Sequence, residues 1–173
     1  MQRTPIEARA SFGTVPENPA LYEFMTAREF LAFVSEVRGG QERAEALLET
    51  LHLAQDADRL IREYSQGMRR KVALAAAMLS TPKVLFLDES LNGLDPPSAA
   101  VVKQLLRTHV DEGGTVVLST HVVETVESVA DRVLMMAHGR LVADVLVQTL
   151  PENGLEALFL EHLEQARDGT RLE

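Results

Sequence analysis

The sequence has no cysteine among its 173 residues. This absence excludes disulfide bonds, thiolate metal ligands and cysteine nucleophiles, and it fits a reducing compartment such as the cytoplasm. Long apolar runs are missing too, because the longest one, residues 72–79, is far shorter than the roughly 20 residues that cross a bilayer. Residues 1–12 interleave charged and small side chains, unlike a signal peptide. We therefore expect no direct membrane insertion.

Positive charge is also scarce. The chain has 17 Lys and Arg against 26 Asp and Glu, which gives 17 − 26 = −9 at pH 7. An acidic chain of this kind is poorly suited to coat nucleic acid or anionic membranes, so we expect no nucleic-acid partner. With 46% hydrophobic and 25% charged residues, the composition is that of a globular protein with a core.

The first half of the chain predicts helices. Thr26 and Glu29 match a capping box, and apolar residues follow at helical spacing as far as Gly39. Residues 41–63 predict one or two amphipathic helices, and Ser65 is a good N-cap for a helix over 66–79. We expect a helical subdomain at residues 26–79.

The second half predicts an α/β core at residues 80–150. Residues 84–87 and 116–118 are short apolar runs typical of buried parallel strands, joined by a helix that begins at Asp95. A helix at 122–129 then leads into a third parallel strand at 133–136, a hairpin strand at 141–147 and a final helix at 155–166. We interpret residues 1–173 as one partial domain, closed by a C-terminal helical segment at 151–173.

Polar groups stand at the predicted ends of the strands. Asp88 and Glu89 follow the first strand, and His121 follows the next, at the edge where parallel sheets bind ligands. Ser65 opens a helix, where a hydroxyl and exposed amides favour phosphate. Each feature alone also has an ordinary structural explanation, as a turn cap, a helix cap or a packed histidine.

The order and spacing of these motifs resemble one family, the nucleotide-binding domains of ABC transporters, over nearly the whole chain. The similar segments are the signature at 64–68, the Walker B strand at 85–89, the D-loop at 91–95, the H-loop at His121, the Q-loop region at 13–22 and the closing helix of exporter-type ATPases at 155–160. The resemblance implies an α/β, P-loop NTPase-like core, in which an incomplete parallel sheet is flanked by helices and carries an inserted helical subdomain.

The resemblance also implies roles for the strand-end residues. Asp88 is expected to bind the Mg²⁺ of MgATP through water, and Glu89 to be the base or orienting group for the attacking water. His121 is expected to contact the γ-phosphate. Glu17 stands where the family usually has Gln, near the metal, and its neighbourhood is expected to face the membrane subunit.

The signature segment is expected to act across a dimer. Ser65 and Gly67 would contact the ATP that a second nucleotide-binding domain holds, together with Gln66, which stands where the family has Gly. Asp95 would couple the two ATP sites. After Glu89 the family usually reads Pro-Thr, whereas this chain has serine and leucine.

One motif is missing from the sequence. A Walker A loop reads Gly-x-x-x-x-Gly-Lys-Ser/Thr, and its amides and lysine hold the β- and γ-phosphates. No Gly-Lys pair occurs here, since Lys71, Lys83 and Lys103 follow Arg, Pro and Val. The family has this loop a few dozen residues before the Q-loop, so we expect the chain to be truncated before the Q-loop.

The predicted function is therefore that of an ATP-binding and ATP-hydrolysing subunit of an ABC transporter. It would be cytoplasmic, peripheral on the inner face of the cell membrane, and would power transport through transmembrane permease subunits and a second nucleotide-binding domain. Without Walker A, this chain is predicted to be inactive alone. The alternative is a non-catalytic subunit that completes or blocks a partner's ATP site through its signature motif.

The sequence also contains a basic cluster and four further histidines. Residues 69–71 are Arg, Arg and Lys, and in a chain of net charge −9 we expect them to form the solvated face of the signature helix. The histidines at 52, 109, 138 and 162 have no metal-ligand spacing, so no zinc site is expected.

Overall fold

The structure, a computed structural model, describes residues 11–151 and 154–160. They belong to two compact units that divide between Ser119 and Thr120. The first unit contains β1 (Phe12–Val15), α1 (Ala27–Arg38), α2 (Ala44–Thr50), α3 (Gln66–Met78), β2 (Val84–Asp88), α4 (Pro96–Asp111) and β3 (Thr115–Ser119). The second unit contains α5 (Val123–Val129), β4 (Arg132–Ala137), β5 (Arg140–Leu146) and a helix over residues 154–160. Single 3₁₀ turns lie at Gln41–Arg43, Ala54–Asp56, Ile61–Glu63 and Val147–Thr149.

The sheet of the first unit has three parallel strands in the order β1-β2-β3. Val15 pairs with Leu87, and Leu87 with Leu118, so the carboxyl ends of all three strands meet at one edge. The α/β class predicted from the sequence is confirmed. The sheet places the residues that follow each strand side by side, which is the geometry that an α/β binding site uses.

One face of this sheet is packed and the other is open. Helix α3 packs closely on β1, because a Cβ atom on Gly13 would lie 2.5 Å from the carbonyl oxygen of Ala77. Every residue of α3 from Lys71 to Met78 is buried. On the opposite face, Phe86 and Val117 are 44% and 47% exposed. The core of the first unit therefore lies between the sheet and α3, and continues into α1 and α2.

The helix starts follow the sequence. Thr26 forms the predicted capping box with Glu29. The hydroxyl of Thr26 accepts the backbone N–H of Glu29 at 3.1 Å, and the carboxylate of Glu29 accepts the backbone N–H of Thr26 at 2.9 Å. Gly39 ends α1 with a φ of 79°. Within residues 41–63 the one α-helix is Ala44–Thr50, and short 3₁₀ turns lie before and after it.

The second unit corrects one prediction. The strand expected at residues 133–136 is not a third member of the parallel sheet, because β4 pairs with β5 in a separate antiparallel sheet. His138 and Gly139 both have positive φ, 46° and 73°, the conformation of a two-residue hairpin turn. A turn this short makes local pairing favourable. The third parallel strand is β1, from the start of the described chain.

The remaining expectations concern the chain end and the domain limits. Residues 154–160 are helical, as predicted for the start of the final helix, and the rest of that helix lies outside the described residues. Nowhere in the described ranges is there a helix with the length and apolar character that a membrane span needs. The boundaries proposed at 26–79, 80–150 and 151–173 stay predictions.

Candidate functional site

Asp88 is the last residue of β2 and lies at the edge where the three strands end. Its side chain is exposed, and its Oδ1 accepts a hydrogen bond of 2.5 Å from the hydroxyl of Ser119, the residue opposite it on β3. An open cleft of about 320 Å³ lies here, lined by Thr14, Val15, Pro16, Phe86, Leu87, Asp88, Val117 and Ser119. The strand ends thus hold one oriented carboxylate over an open space.

Glu89 turns the chain out of the strand. Its φ is 48°, a left-handed conformation that costs a residue with a side chain about 1–3 kcal/mol. Its N–H donates to the carbonyl of Ser119 at 3.0 Å, and its Oε2 accepts a hydrogen bond of 2.5 Å from Nδ2 of Asn92. Asp88 and Glu89 are neighbours with different partners, so the two carboxylates are held in different environments.

Ser90 fixes the start of the loop over residues 89–95. It is buried, and its hydroxyl lies 2.9 Å from the carbonyl oxygen of Val15 and 3.1 Å from that of Asp88. The loop is therefore tied to the end of β1 as well as to β2. The family that the sequence resembles usually has proline at this position, and a proline side chain cannot donate this hydrogen bond.

Ser65 is the N-cap of α3, as predicted. Its hydroxyl accepts the N–H of Met68 at 3.3 Å, and Ser65 and Gln66 are both exposed. The preceding residue, Tyr64, is buried and donates its hydroxyl to the carbonyl of Asp56 at 2.6 Å, and burial raises the pKa of Tyr64. Tyr64 anchors the segment while the start of α3 faces solvent.

The start of α3 contacts the loop over residues 89–95. A Cβ atom on Gly67 would lie 3.5 Å from Cδ2 of Leu94, and one on Gly93 would lie 3.0 Å from Nη1 of Arg70. Gly93 also has a φ of 69°, which favours glycine. The signature segment and the loop that follows Glu89 are therefore packed together within the first unit.

Asp95 ends this loop and caps α4. Its Oδ2 accepts the N–H of Ser98 at 3.3 Å, and hydrogen bonding to Ser98 lowers the pKa of the Asp95 carboxyl. The structural role that the sequence suggested for Asp95 is thus present. Whether Asp95 also couples two ATP sites stays a prediction.

The basic cluster is not the solvated face that we expected from the sequence. Arg69 forms an ion pair of 2.5 Å with Glu23, and Lys71 is only 7% exposed. Burial lowers the pKa of Lys71. The prediction was wrong because α3 is enclosed over most of its circumference, which local charge does not reveal.

Glu17 and His121 are two further predicted site residues, which follow the ends of β1 and β3. Glu17 is exposed, two residues after the end of β1. His121 belongs to the second unit, two residues after the end of β3. Their approach to Asp88 and Glu89 therefore stays a prediction.

The strand-end residues suit a magnesium ion better than zinc. In the described ranges, no group of three or more His, Cys, Asp or Glu side chains could hold a metal by itself. Magnesium commonly takes one or two carboxylates and completes its octahedron with water and phosphate oxygens. Asp88, with Ser119 beside it, offers the oxygen donors for such a site.

Three residues of the site were missed in the sequence, namely Ser90, Asn92 and Ser119. The sequence motifs assigned no function to these three polar side chains. Ser119 could have been found, because it ends the strand next to Asp88 and parallel pairing aligns the two ends. The contacts of Ser90 and Asn92 depend on how the loop folds back, which the sequence pattern does not specify.

Comparison with known proteins identifies relatives of this arrangement. The family profile described as ABC transporter matches residues 2–92. The daunorubicin/doxorubicin resistance ATP-binding protein of Streptomyces peucetius is 35% identical over 145 residues, which is 81% of this chain and 44% of the relative. An uncharacterized ABC transporter ATP-binding protein of Bacillus subtilis (strain 168) is 34% identical over 169 residues, 94% of this chain and 72% of the relative.

A solved structure has the same fold. The ATP-binding subunit of an ABC transporter matches with a TM-score of 0.82 and 27% identity, over 91% of this chain and 70% of that one. The chain spans less than half the length of several curated relatives, from 40% to 46% of each.

Proposed function

Since the chain belongs to the ABC transporter family, we propose that it forms the part of an ATP-binding subunit that carries the hydrolytic carboxylates and the signature motif. The complete subunit hydrolyses MgATP and powers transport through membrane subunits. The observation that carries this proposal is the pair Asp88 and Glu89 at the carboxyl end of β2. The two carboxylates have different hydrogen-bond partners, which supports assigning them two different roles.

Asp88 is proposed to hold Mg²⁺ through water. When bound, the ion supplies positive charge that neutralises the terminal phosphates of ATP. Ser119 donates to Oδ1 of Asp88 and so orients its carboxylate over the cleft. Glu17 lies beyond β1, at the same edge of the sheet, and is proposed to contribute near the metal.

Glu89 is proposed to accept the proton of the attacking water or to orient that water. Its backbone N–H is held by Ser119 and its carboxylate by Asn92, so groups of this chain orient Glu89. His121 is proposed to donate to the γ-phosphate. An imidazole N–H and a carboxylate acting on the same phosphate and water are the groups that phosphoryl transfer needs.

Ser65, Gln66 and Gly67 are proposed to bind ATP held by a second nucleotide-binding domain. The amides at the start of a 13-residue helix and the hydroxyl of Ser65 are suitable donors for phosphate oxygens. The hydroxyl of Ser65 accepts from Met68, and its hydrogen is not used in that bond. Asp95 is proposed to transmit this contact between the two sites.

An aromatic surface near the start of the first unit is proposed to dock the membrane subunit, which would hold the chain at the inner face of the membrane. Tyr22 contacts Phe33 edge to face at 5.5 Å, and Tyr22 and Phe24 are 56% and 80% exposed. We expect Phe24→Ser to abolish co-purification with the permease and to leave thermal unfolding unchanged. Normal co-purification of this variant would contradict the docking role.

The second candidate is a non-catalytic role. It is favoured by one observation, that the 173 residues contain no Gly-Lys pair and thus no Walker A loop. In that role the chain completes or blocks the ATP site of a partner through Ser65 and Gly67. The two roles differ in whether Glu89 of this chain acts on ATP.

Association with an ATP-loaded partner tests the signature role shared by both candidates. The partner is the same chain extended at its N-terminus by a segment that carries Gly-x-x-x-x-Gly-Lys-Ser, called below the extended chain. We expect the 173-residue chain to bind the extended chain carrying Glu89→Gln in MgATP, measured by light scattering, and to bind weakly without nucleotide.

Two variants of the 173-residue chain sharpen this test. Gly67→Asp keeps the fold, because its Cβ would lie at an ordinary contact distance from Leu94, but it puts negative charge where phosphate is expected. We expect it to abolish ATP-dependent association, whereas Glu49→Gln, an exposed change on α2, leaves association intact. Association that is equally strong without ATP, or that Gly67→Asp does not weaken, would overturn the proposal.

Turnover by the purified 173-residue chain then tests its predicted inactivity. We expect no ATP hydrolysis above that of its Glu89→Gln variant. Robust turnover that depends on Glu89 would refute this prediction and would also exclude the non-catalytic candidate.

A further inference from the structure

The loop after β2 holds the carboxylate of Glu89 by a side chain of its own turn. Nδ2 of Asn92 lies 2.5 Å from Oε2 of Glu89, and the backbone N–H of Asn92 donates to the carbonyl of Glu89 at 3.2 Å. Both side chains are half-buried. Residue 92 therefore binds residue 89 twice, once through the backbone and once through the side chain.

The backbone turn does not need the amide of Asn92. The turn is closed by the N–H of residue 92, which any residue except proline provides. The positive φ angles of the loop are at Glu89 and Gly93, so Asn92 does not adopt the left-handed conformation for which asparagine is often selected. The side-chain amide is thus directed at the carboxylate and is not required by the turn.

The contact has a defined polarity. An ionised carboxylate accepts hydrogen bonds and cannot donate them, so the NH₂ group of Asn92 faces Glu89. An aspartate at position 92 would have almost the same shape, but it would place a second carboxylate against the first. The shape of the residue and its ability to donate can therefore be separated by substitution.

We propose that Asn92 is a positioning residue, which holds the carboxylate of Glu89 in the orientation that acts on the attacking water. The proposal rests on the role given to Glu89 above. A free glutamate side chain has several rotamers, and fixing it before reaction removes an entropic cost from the chemical step. A reacting group that is misplaced by about 1 Å can lose a factor of about 100 in rate.

The rate test uses ATP hydrolysis by the extended chain. We expect Asn92→Ala to lower kcat about 10-fold to 100-fold and to leave KM for ATP within about twofold. We expect Asn92→Asp to lower kcat further than Asn92→Ala, because it replaces a donor with a negative charge. Gln104→Ala, which removes an exposed amide from α4, is the control and keeps the normal kcat.

The order of the two variants decides between positioning and shape. If Asn92 only shaped the turn, the isosteric aspartate would be tolerated better than alanine, and that result overturns the proposal. An unchanged kcat in Asn92→Ala also overturns it, provided that Glu89→Gln abolishes turnover. If Glu89→Gln itself retains full turnover, the proposed role of Glu89 has failed instead, so the two failures are distinguishable.

A nucleotide-free measurement covers the case in which a variant unfolds. The sequence has three asparagines, at 18, 92 and 153, so their side-chain amide signals are few in an NMR spectrum of the 173-residue chain. We expect the Asn92 NH₂ signal to be protected from exchange, and Glu89→Ala to remove that protection while the backbone amides of the buried helix segment Lys71–Met78 stay protected, which shows that the variant is folded. An Asn92 amide that exchanges equally fast in both chains would overturn the proposal without any activity assay.

Discussion

The two units of the chain bury their apolar residues very differently. In the first unit, strands and helices enclose fully buried side chains such as Leu31, Leu48 and Leu85. In the described part of the second unit, only Leu155 is buried, whereas Leu134 and Met136 are 58% and 70% exposed on the hairpin. The first unit therefore contains its own core. In the described part of the second unit, the hairpin is joined by backbone pairing, and Arg132 and Asp144 form an exposed ion pair across it.

The largest expected effect comes from a cavity in the first core. Leu31→Ala removes a side chain that is 0% exposed, so we expect a loss of about 2–5 kcal/mol in the free energy of unfolding. Leu134→Ala, at an exposed position of the second unit, is expected to change it by less than about 0.5 kcal/mol. Urea denaturation followed by circular dichroism measures both. Equal losses would contradict the contrast between the units.

A smaller effect is expected at the helix starts. Thr26→Ala removes the hydroxyl that caps α1, which costs about 1 kcal/mol, whereas Thr26→Ser keeps the cap. The N-cap of α5 is Val122, which makes no side-chain cap hydrogen bond, so Val122→Ala is expected to change little. The comparison needs only the denaturation midpoints of the three variants. A destabilising Val122→Ala with a neutral Thr26→Ala would reverse our interpretation.

The smallest effect depends on pH. His109 is 5% exposed at the end of α4, its Nε2 has no hydrogen-bond partner among the described atoms, and its ring fills the space beside Gly114. Burial lowers the pKa of His109, and the charge of Arg43 adds to this, while Glu112 opposes it. The folded state thus keeps a neutral imidazole below the ordinary pKa of about 6.5.

The sign of the pH effect follows from this. Below about pH 6.5 the unfolded chain binds a proton at His109 that the folded chain does not, so stability falls as the pH falls. We expect His109→Gln to flatten the curve of unfolding free energy between pH 7 and 5. Leu31→Ala is the control, because it should lower the curve without changing its slope. An unchanged slope in His109→Gln would contradict the assignment.

Local chemistry explains how much of the molecule the sequence predicted. The caps at Thr26, Ser65 and Asp95 involve residues only three positions apart, and all three are present. The sequence predicts Asp88 and Glu89 at the sheet edge because two short apolar runs mark where the strands end. These features need little knowledge of the rest of the fold.

What the sequence did not predict depends on contacts between distant residues. The sequence predicted the hairpin but placed β4 in the parallel sheet as well, because the local pattern of a helix followed by a strand is the same in a parallel crossover. Lys71 is buried because α3 is enclosed by other elements, and Ser90 binds Val15 across 75 positions of the chain. Such contacts are formed by the tertiary fold, and a local sequence motif does not indicate them.

The central claim is that Glu89 acts on the water that attacks ATP once a phosphate-binding loop is supplied. Single-turnover hydrolysis of ATP by the extended chain tests it most directly, with Glu36→Gln on the exposed side of α1 as the matched control. We expect Glu89→Gln to slow the chemical step by about 10²–10⁴-fold while ATP remains bound, and Glu36→Gln to have no effect. A Glu89→Gln variant that binds ATP and hydrolyses it at the normal rate would contradict the account.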